Sequence, residues 1–204
     1  MPVAIQSHAL ITLAEYVAIA ADPNADSDRT TTIINYISKS IAKYCNRDLI
    51  STEHTEYYDG HNEEFLHLNN WPILDSDDSV SDPVVTIDAN YDGTFQATST
   101  FGMTVQWEST KTMGALYLKY RERWPRGTRN IKVVYTAGYA NTAAVPENLK
   151  NACAEIVAVS KKKFEHNMHG VQSISTMSDT TTFRLDEWPA TARQIIDAEK
   201  RIIV

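Results

Sequence analysis

The spacing of apolar residues changes twice along the chain. In the N-terminal part they recur every three or four positions: Ile33, Ile37, Ile41 and Tyr44 or Cys45 fall on one side, and Ile34 widens the stripe. That period predicts an amphipathic helix. A shorter helix precedes it. Thr12 and Glu15 have the spacing of a capping box at its start, and Asp22-Pro23-Asn24 ends it near Ala21. Ser27 or Asp28 is placed to cap the second helix, and Lys39, Lys43 and Arg47 lie toward its C-terminus, where the macrodipole favours cations.

From Leu49 to Tyr139 the period shortens to two. Leu116, Leu118 and Tyr120 alternate with other residues, as do Ile131, Val133 and Tyr135, which predicts half-buried strands. Tyr57-Tyr58-Asp59-Gly60 running into Phe65-Leu66-His67-Leu68 reads as a hairpin. Val84 to Asp88 reads as a strand entering a turn at Asn90 to Gly93, and Trp124 to Gly127 as another turn. Helical spacing returns after Pro146, with Leu149, Cys153, Ile156, Val157, Ser160 and Phe164 on one face and Gly170 as the stop. Residues 171–187 are rich in Ser and Thr and read as an extended or mobile segment. Pro189 then opens a last helix, from Ala190 to about Ile202.

The expected fold class is α+β. A bundle of N- and C-terminal helices (1–47 and 145–204) carries an inserted antiparallel β lobe (48–144), all within a single domain of 204 residues. Residues 171–204 form an extended segment plus a terminal helix.

Charge divides the chain along the same lines. The total is −7, yet between Arg47 and Lys111 there is no Lys or Arg and there are thirteen acids. All 19 basic residues lie in the remainder, against another thirteen acids. Neutralising phosphates requires a clustered basic face, so a uniformly basic grip on nucleic acid is excluded as the main mode. The one basic run is Lys119, Arg121, Arg123, Arg126, Arg129 and Lys132, opposed only by Glu122. It is a candidate for DNA contact, for pairing with the acidic stretch of a neighbouring copy, or for a plain solvated turn. On the pairing reading, the inter-subunit candidates are Arg121, Arg123, Arg126 and Arg129 against Asp75, Asp77 and Asp78.

Catalytic patterns are missing. The chain has no Gly-x-Ser-x-Gly elbow, phosphate loop, dinucleotide fingerprint or His-Glu-x-x-His. His166 and His169 are two ligands without a third. Asp75-Ser76-Asp77-Asp78 hints at a calcium loop, but the positions that would need Gly and Glu hold Val80 and Thr86, so an acidic surface loop is expected. Cys45 and Cys153 fall at apolar helical positions and read as reduced core thiols. No enzyme activity, cofactor or metal is expected. Neither is a membrane span or a targeting segment, so synthesis in the cytosol is the default.

The order of these segments resembles the head–tail connector proteins of tailed bacteriophages, also called head-completion or adaptor proteins. The resemblance rests on Leu10–Glu15, Ile33–Ser38 with Ile41–Arg47, Tyr57–Gly60, Leu66–Ile73, Ile131–Tyr139 and Val145–Ala152, and covers about residues 10 to 165. It implies a non-enzymatic virion protein, made in the host bacterial cytoplasm. Such a protein forms a homo-oligomeric ring, usually of twelve copies, under the portal. It extends the channel for double-stranded DNA without reading sequence and presents a surface to a stopper or tail-completion protein. The family's C-terminal region engages the portal, which assigns docking here to the segment from Val171 to Val204, with Phe183, Leu185, Trp188, Arg193, Ile196 and Ile203 as candidates. The alternative is a tail-completion or tail-terminator ring, which would be mostly β. A small hydrolase would instead need a pocket of converging His and carboxylates.

Overall fold

A computed structural model describes residues 2–23, 25–75, 77, 80–165, 173–176, 179–182 and 188–201. The chain divides into two compact units: residues 1–46 with 142–204, and residues 47–141. The class is α+β, with helices at both ends of the chain and antiparallel sheets between them in sequence.

The first unit contains helices α1 (Leu13–Ala20), α2 (Ser27–Cys45), α3 (Glu147–Glu165) and α4 (Ala190–Ala198). The capping box at α1 forms as its spacing requires. The Thr12 hydroxyl accepts from the Glu15 N–H, and Glu15 accepts from the Thr12 N–H at 2.7 Å. The cap of α2 is Asp26, one residue ahead of the expected Ser27 or Asp28; its carboxylate accepts from the Arg29 N–H. Ile33, Ile34, Ile37, Ile41 and Cys45 are buried, together with Leu149, Cys153, Ile156 and Val157 of α3. Burying each Ile or Leu contributes about 1.5–3 kcal/mol, so this stripe is the main reason the helices associate. Phe164, at the end of the expected α3 face, is exposed and lies under the Arg29 guanidinium at 5.9 Å. Helix α4 packs on α3 and buries Ala192 and Ile196 completely.

The second unit contains β1 (Thr52–Gly60), β2 (Phe65–His67), β3 (Val84–Ile87), β4 (Gln96–Ala97), β5 (Val105–Gln106), β6 (Ala115–Leu118) and β7 (Gly127–Ala137). One sheet has the order β1-β7-β3-β4 and another β2-β6-β5. β7 pairs antiparallel on both sides, and its alternate residues Ile131, Val133, Tyr135 and Ala137 enter a core shared with Leu66, Leu116, Leu118, Trp107 and Trp124.

The hairpin expected between Tyr57–Gly60 and Phe65–Leu68 is not formed. β1 pairs with β7, and β2 pairs with β6 in the other sheet. Asp59-Gly60 looked like a turn because turns favour glycine. Here Gly60 sits at an irregularity inside β1, opposite Gly127, where a Cβ would lie 1.7 Å from the Pro125 carbonyl oxygen. The glycine serves a close backbone approach, not a reversal. Gly138, just past β7, has φ +109° and its missing Cβ would meet the Ile50 backbone at 2.7 Å. Tyr120 also departs from expectation. Strand β6 ends at Leu118, and Tyr120 and Arg121 both take left-handed φ, at 63° and 60°.

In the segment read as extended, β8 (Ser173–Thr176) and β9 (Asp179–Thr182) form a two-stranded antiparallel ribbon. The expected stop at Gly170 lies outside the described residues, as do His166 and His169.

Candidate functional site

A hydrogen-bonded cluster of titratable groups lies inside the β unit. The Glu56 carboxylate accepts from the Tyr135 hydroxyl at 2.7 Å, from the Tyr58 hydroxyl, and from the Asn70 amide at 3.3 Å. The two hydroxyls accept in turn from the backbone N–H groups of Asn70 and Asn69. Burial, reinforced by the Glu56 carboxylate, pushes both phenols well above their ordinary range, so both stay protonated. Beside this cluster, Arg47 donates to the Trp71 carbonyl and stacks on the Trp71 ring at 4.4 Å. Three separated sequence segments, around Tyr58, Asn70 and Tyr135, therefore meet in one hydrogen-bonded knot. It fastens the turn at Asn69–Trp71 to β1 and β7. It has no free nucleophile and functions as a brace.

The thiols are equally closed. Cys45 and Cys153 are buried, and burial pushes the Cys153 thiol up to about 12. Among the described residues, no group of three or more His, Cys, Asp or Glu is arranged to hold a metal ion. Among the same residues, no helix is long and apolar enough to cross a membrane.

Accessible features among the described residues include two hollows and a basic tip. The first hollow, about 460 Å³, is in the β unit. Its walls include Tyr57, Phe65 and Trp124, and Asp59, Glu63 and His61 also line it. The second, about 480 Å³, is in the helical unit, between α3 and α4, with Val159, Trp188, Arg193 and Asp197 among its walls. Trp188 stands edge-on to Tyr44 at 5.1 Å, and the Tyr44 hydroxyl donates to Asp197 at 2.6 Å. Two of the docking candidates, Trp188 and Arg193, thus share one groove. Ile196 is spent on the unit's own core. Phe183, Leu185 and Ile203 lie outside the described residues.

Lys119, Arg121, Arg123, Arg126 and Arg129 are all exposed, and Lys132 is half-buried. Among the described residues none of the six is ion-paired. Arg123 donates to the Asn62 carbonyl at 3.1 Å, and Arg129 lies 5.2 Å from the Tyr57 ring. The acidic candidates behave unequally. Asp75, expected on a surface loop, is buried and pairs with Lys111 at 2.8 Å. Asp77 is exposed, and Asp78 lies outside the described residues. The sequence did not single out Asp59 and Glu63, because charge counts carry no information on which acids share a hollow.

A family model described as Head completion protein matches residues 9–202. The fold is similar to chains in solved gene transfer agent particles. These are the neck of an empty particle with C6 symmetry (TM-score 0.57, 14% identity), the virion of the native particle (0.56, 15%) and the neck of the native particle with C12 symmetry (0.55, 16%). Each alignment covers 99% of this chain and 94% of the other. No curated protein matches the chain.

Proposed function

From the premise that this chain belongs to the head completion protein family, we propose that it forms a ring of twelve copies under the portal of a virion. It is a structural virion protein of the head–tail junction and not an enzyme. The ring prolongs the channel for double-stranded DNA and offers its far face to a stopper or tail-completion protein. The observation that carries this reading is the family match, which runs through both compact units. The symmetric necks that contain chains of the same fold support it.

The mechanism is assembly. Each copy must present one surface that complements a different surface on the next, since only head-to-tail contacts close a ring of this kind. The unpaired cations between Lys119 and Lys132 and the exposed acids of the β unit are the natural complements. An acidic lumen would repel the DNA backbone and let the duplex slide. Portal docking falls to the Trp188–Arg193 groove. Cutting the chain after Gly170 would test that poorly, because it removes α4 and uncovers the helical core that Ala192 and Ile196 close. The sharper variant is Trp188→Ala, which should fold and form rings yet lose the portal.

Electron microscopy of the protein with portal-bearing heads tests the whole reading. Rings coaxial with the portal are expected. A protein that stays monomeric and leaves the portal bare would sink it.

A further inference from the structure

The tip at Lys119-Tyr120-Arg121 is built to be buried by something else. Tyr120 is 82% exposed, the largest such value among the exposed apolar and aromatic side chains of the described residues. Consecutive left-handed residues at Tyr120 and Arg121 hold the ring away from the sheet, a conformation that costs free energy and persists where surrounding structure enforces it. The Lys119 ammonium lies 5.1 Å from the Tyr120 ring centre. Behind the tip the chain is fixed: Arg123 grips the Asn62 carbonyl, and the Trp124 N–H donates to the Glu63 carbonyl at 3.0 Å. A rigid, cationic aromatic knob results.

The same unit carries a hollow of the opposite character. It is about 460 Å³, aromatic on its walls through Tyr57, Phe65 and Trp124, and flanked by the carboxylates of Asp59 and Glu63. Neither carboxylate is ion-paired among the described residues. Tyr120 is not among the residues that line it. Knob and hollow adjoin on one compact unit, since Trp124 and Glu63, bonded behind the tip, also line the hollow, and every copy carries both.

We propose that the Lys119-Tyr120-Arg121 knob of one copy seats in the Asp59–Glu63 hollow of the next, as the repeating contact of the ring. This deepens the ring reading and rests on it. The Tyr120 ring fills the aromatic hollow, and Lys119 and Arg121 meet Asp59 and Glu63 at its rim. Desolvated aromatic anchors with charged rims are the usual energetic centre of such contacts. Duplex DNA is a poorer occupant. It offers no unstacked base to the tyrosine, and Glu63 and Glu64, anchored beside the tip's base, repel its phosphates.

The test uses full-length protein assembled on portal-bearing heads and viewed by electron microscopy. One preparation carries Tyr120→Cys and another Phe65→Cys; both native thiols are buried and stay out of the reaction. Mixed copies should cross-link across neighbours, whereas neither variant alone should. Glu63→Lys should reduce ring formation by at least about tenfold, and adding Arg121→Glu should restore it. Rings that form without cross-linking and ignore Glu63→Lys would overturn this contact and leave the ring standing. Wild-type protein that forms no ring would overturn both. If Arg121→Glu abolished duplex binding while rings assembled normally, the knob would be a DNA contact and the proposal would fall.

Discussion

In the helical unit, cations are drawn inward. Lys150 and Lys161 are buried on α3, the first paired with Glu15 at 2.9 Å and the second with Asp22. In the β unit, Lys111 pairs with Asp75 and Arg47 is buried against Trp71, but the exposed cations from Lys119 to Arg129 have no ionic partner among the described residues, and the acids carry most of the exposed charge. One unit uses charge to fasten its own helices, and the other holds charge in reserve for another molecule. The difference follows from shape. Two packed helices bring long side chains and carboxylates together in a partly dry groove, where an ion pair orients the contact. The cations from Lys119 to Arg126 lie on the turn and loop between β6 and β7, which project into water, where a pair gains little.

The comparison breaks most visibly at the β unit's close backbone contacts. Gly60→Ala should cost about 4 kcal/mol or more, because backbone cannot yield a 1.7 Å overlap cheaply. Denaturant unfolding should show the β unit lost first. An unchanged midpoint would mean that β1 and the Pro125 loop do not meet as described.

Next comes Lys150→Met in the helical unit, expected to cost about 1–2 kcal/mol, since Glu15 retains some access to water. The Glu15 case also predicts a pH dependence. Burial alone would raise its carboxyl, but the Thr12 N–H, the Lys150 ammonium and the Thr12 hydroxyl outweigh that and hold it below its ordinary 4.5. A depressed folded value stabilises above the unfolded value, and the gain is lost as pH falls through the folded one. Acid unfolding followed from neutral pH to about pH 3 should therefore be steeper in the wild type than in Lys150→Met. Identical profiles would remove the pair from the stability of α1.

Thr12→Ala should cost about 1 kcal/mol through the lost cap. The smallest expected effect on folding belongs to Arg121→Ala, within about 0.5 kcal/mol. If that variant unfolds as readily as Lys150→Met, the β unit's cations are structural and the contrast between the units disappears.

The helices were legible because their signals are local. The stripe of Ile33, Ile37 and Ile41 and the Thr12–Glu15 box each act within a few residues, and both form. The sheet was legible in composition and in the alternation of β7, but not in pairing. Nothing near Gly60 states that its partner is Gly127, because strand register is fixed by residues distant in sequence. The site was less legible still. The sequence marked the basic run, yet missed that Asp75 is neutralised by Lys111 and that Asp59 and Glu63 share a hollow. It treated Tyr58, Asn70 and Tyr135 as pieces of a recognisable order. Their meeting around Glu56 supplies the physical reason those pieces occur together.

The two sealed thiols have a consequence for the life of a particle outside its host. A finished virion leaves a reducing cell for an oxidising medium, where exposed thiols couple to one another or to small disulfides. A sulfur held near pKa 12 supplies almost no thiolate, and a buried one admits no oxidant. The joint between head and tail can therefore wait in air-saturated water without acquiring bonds that would lock it before the next infection.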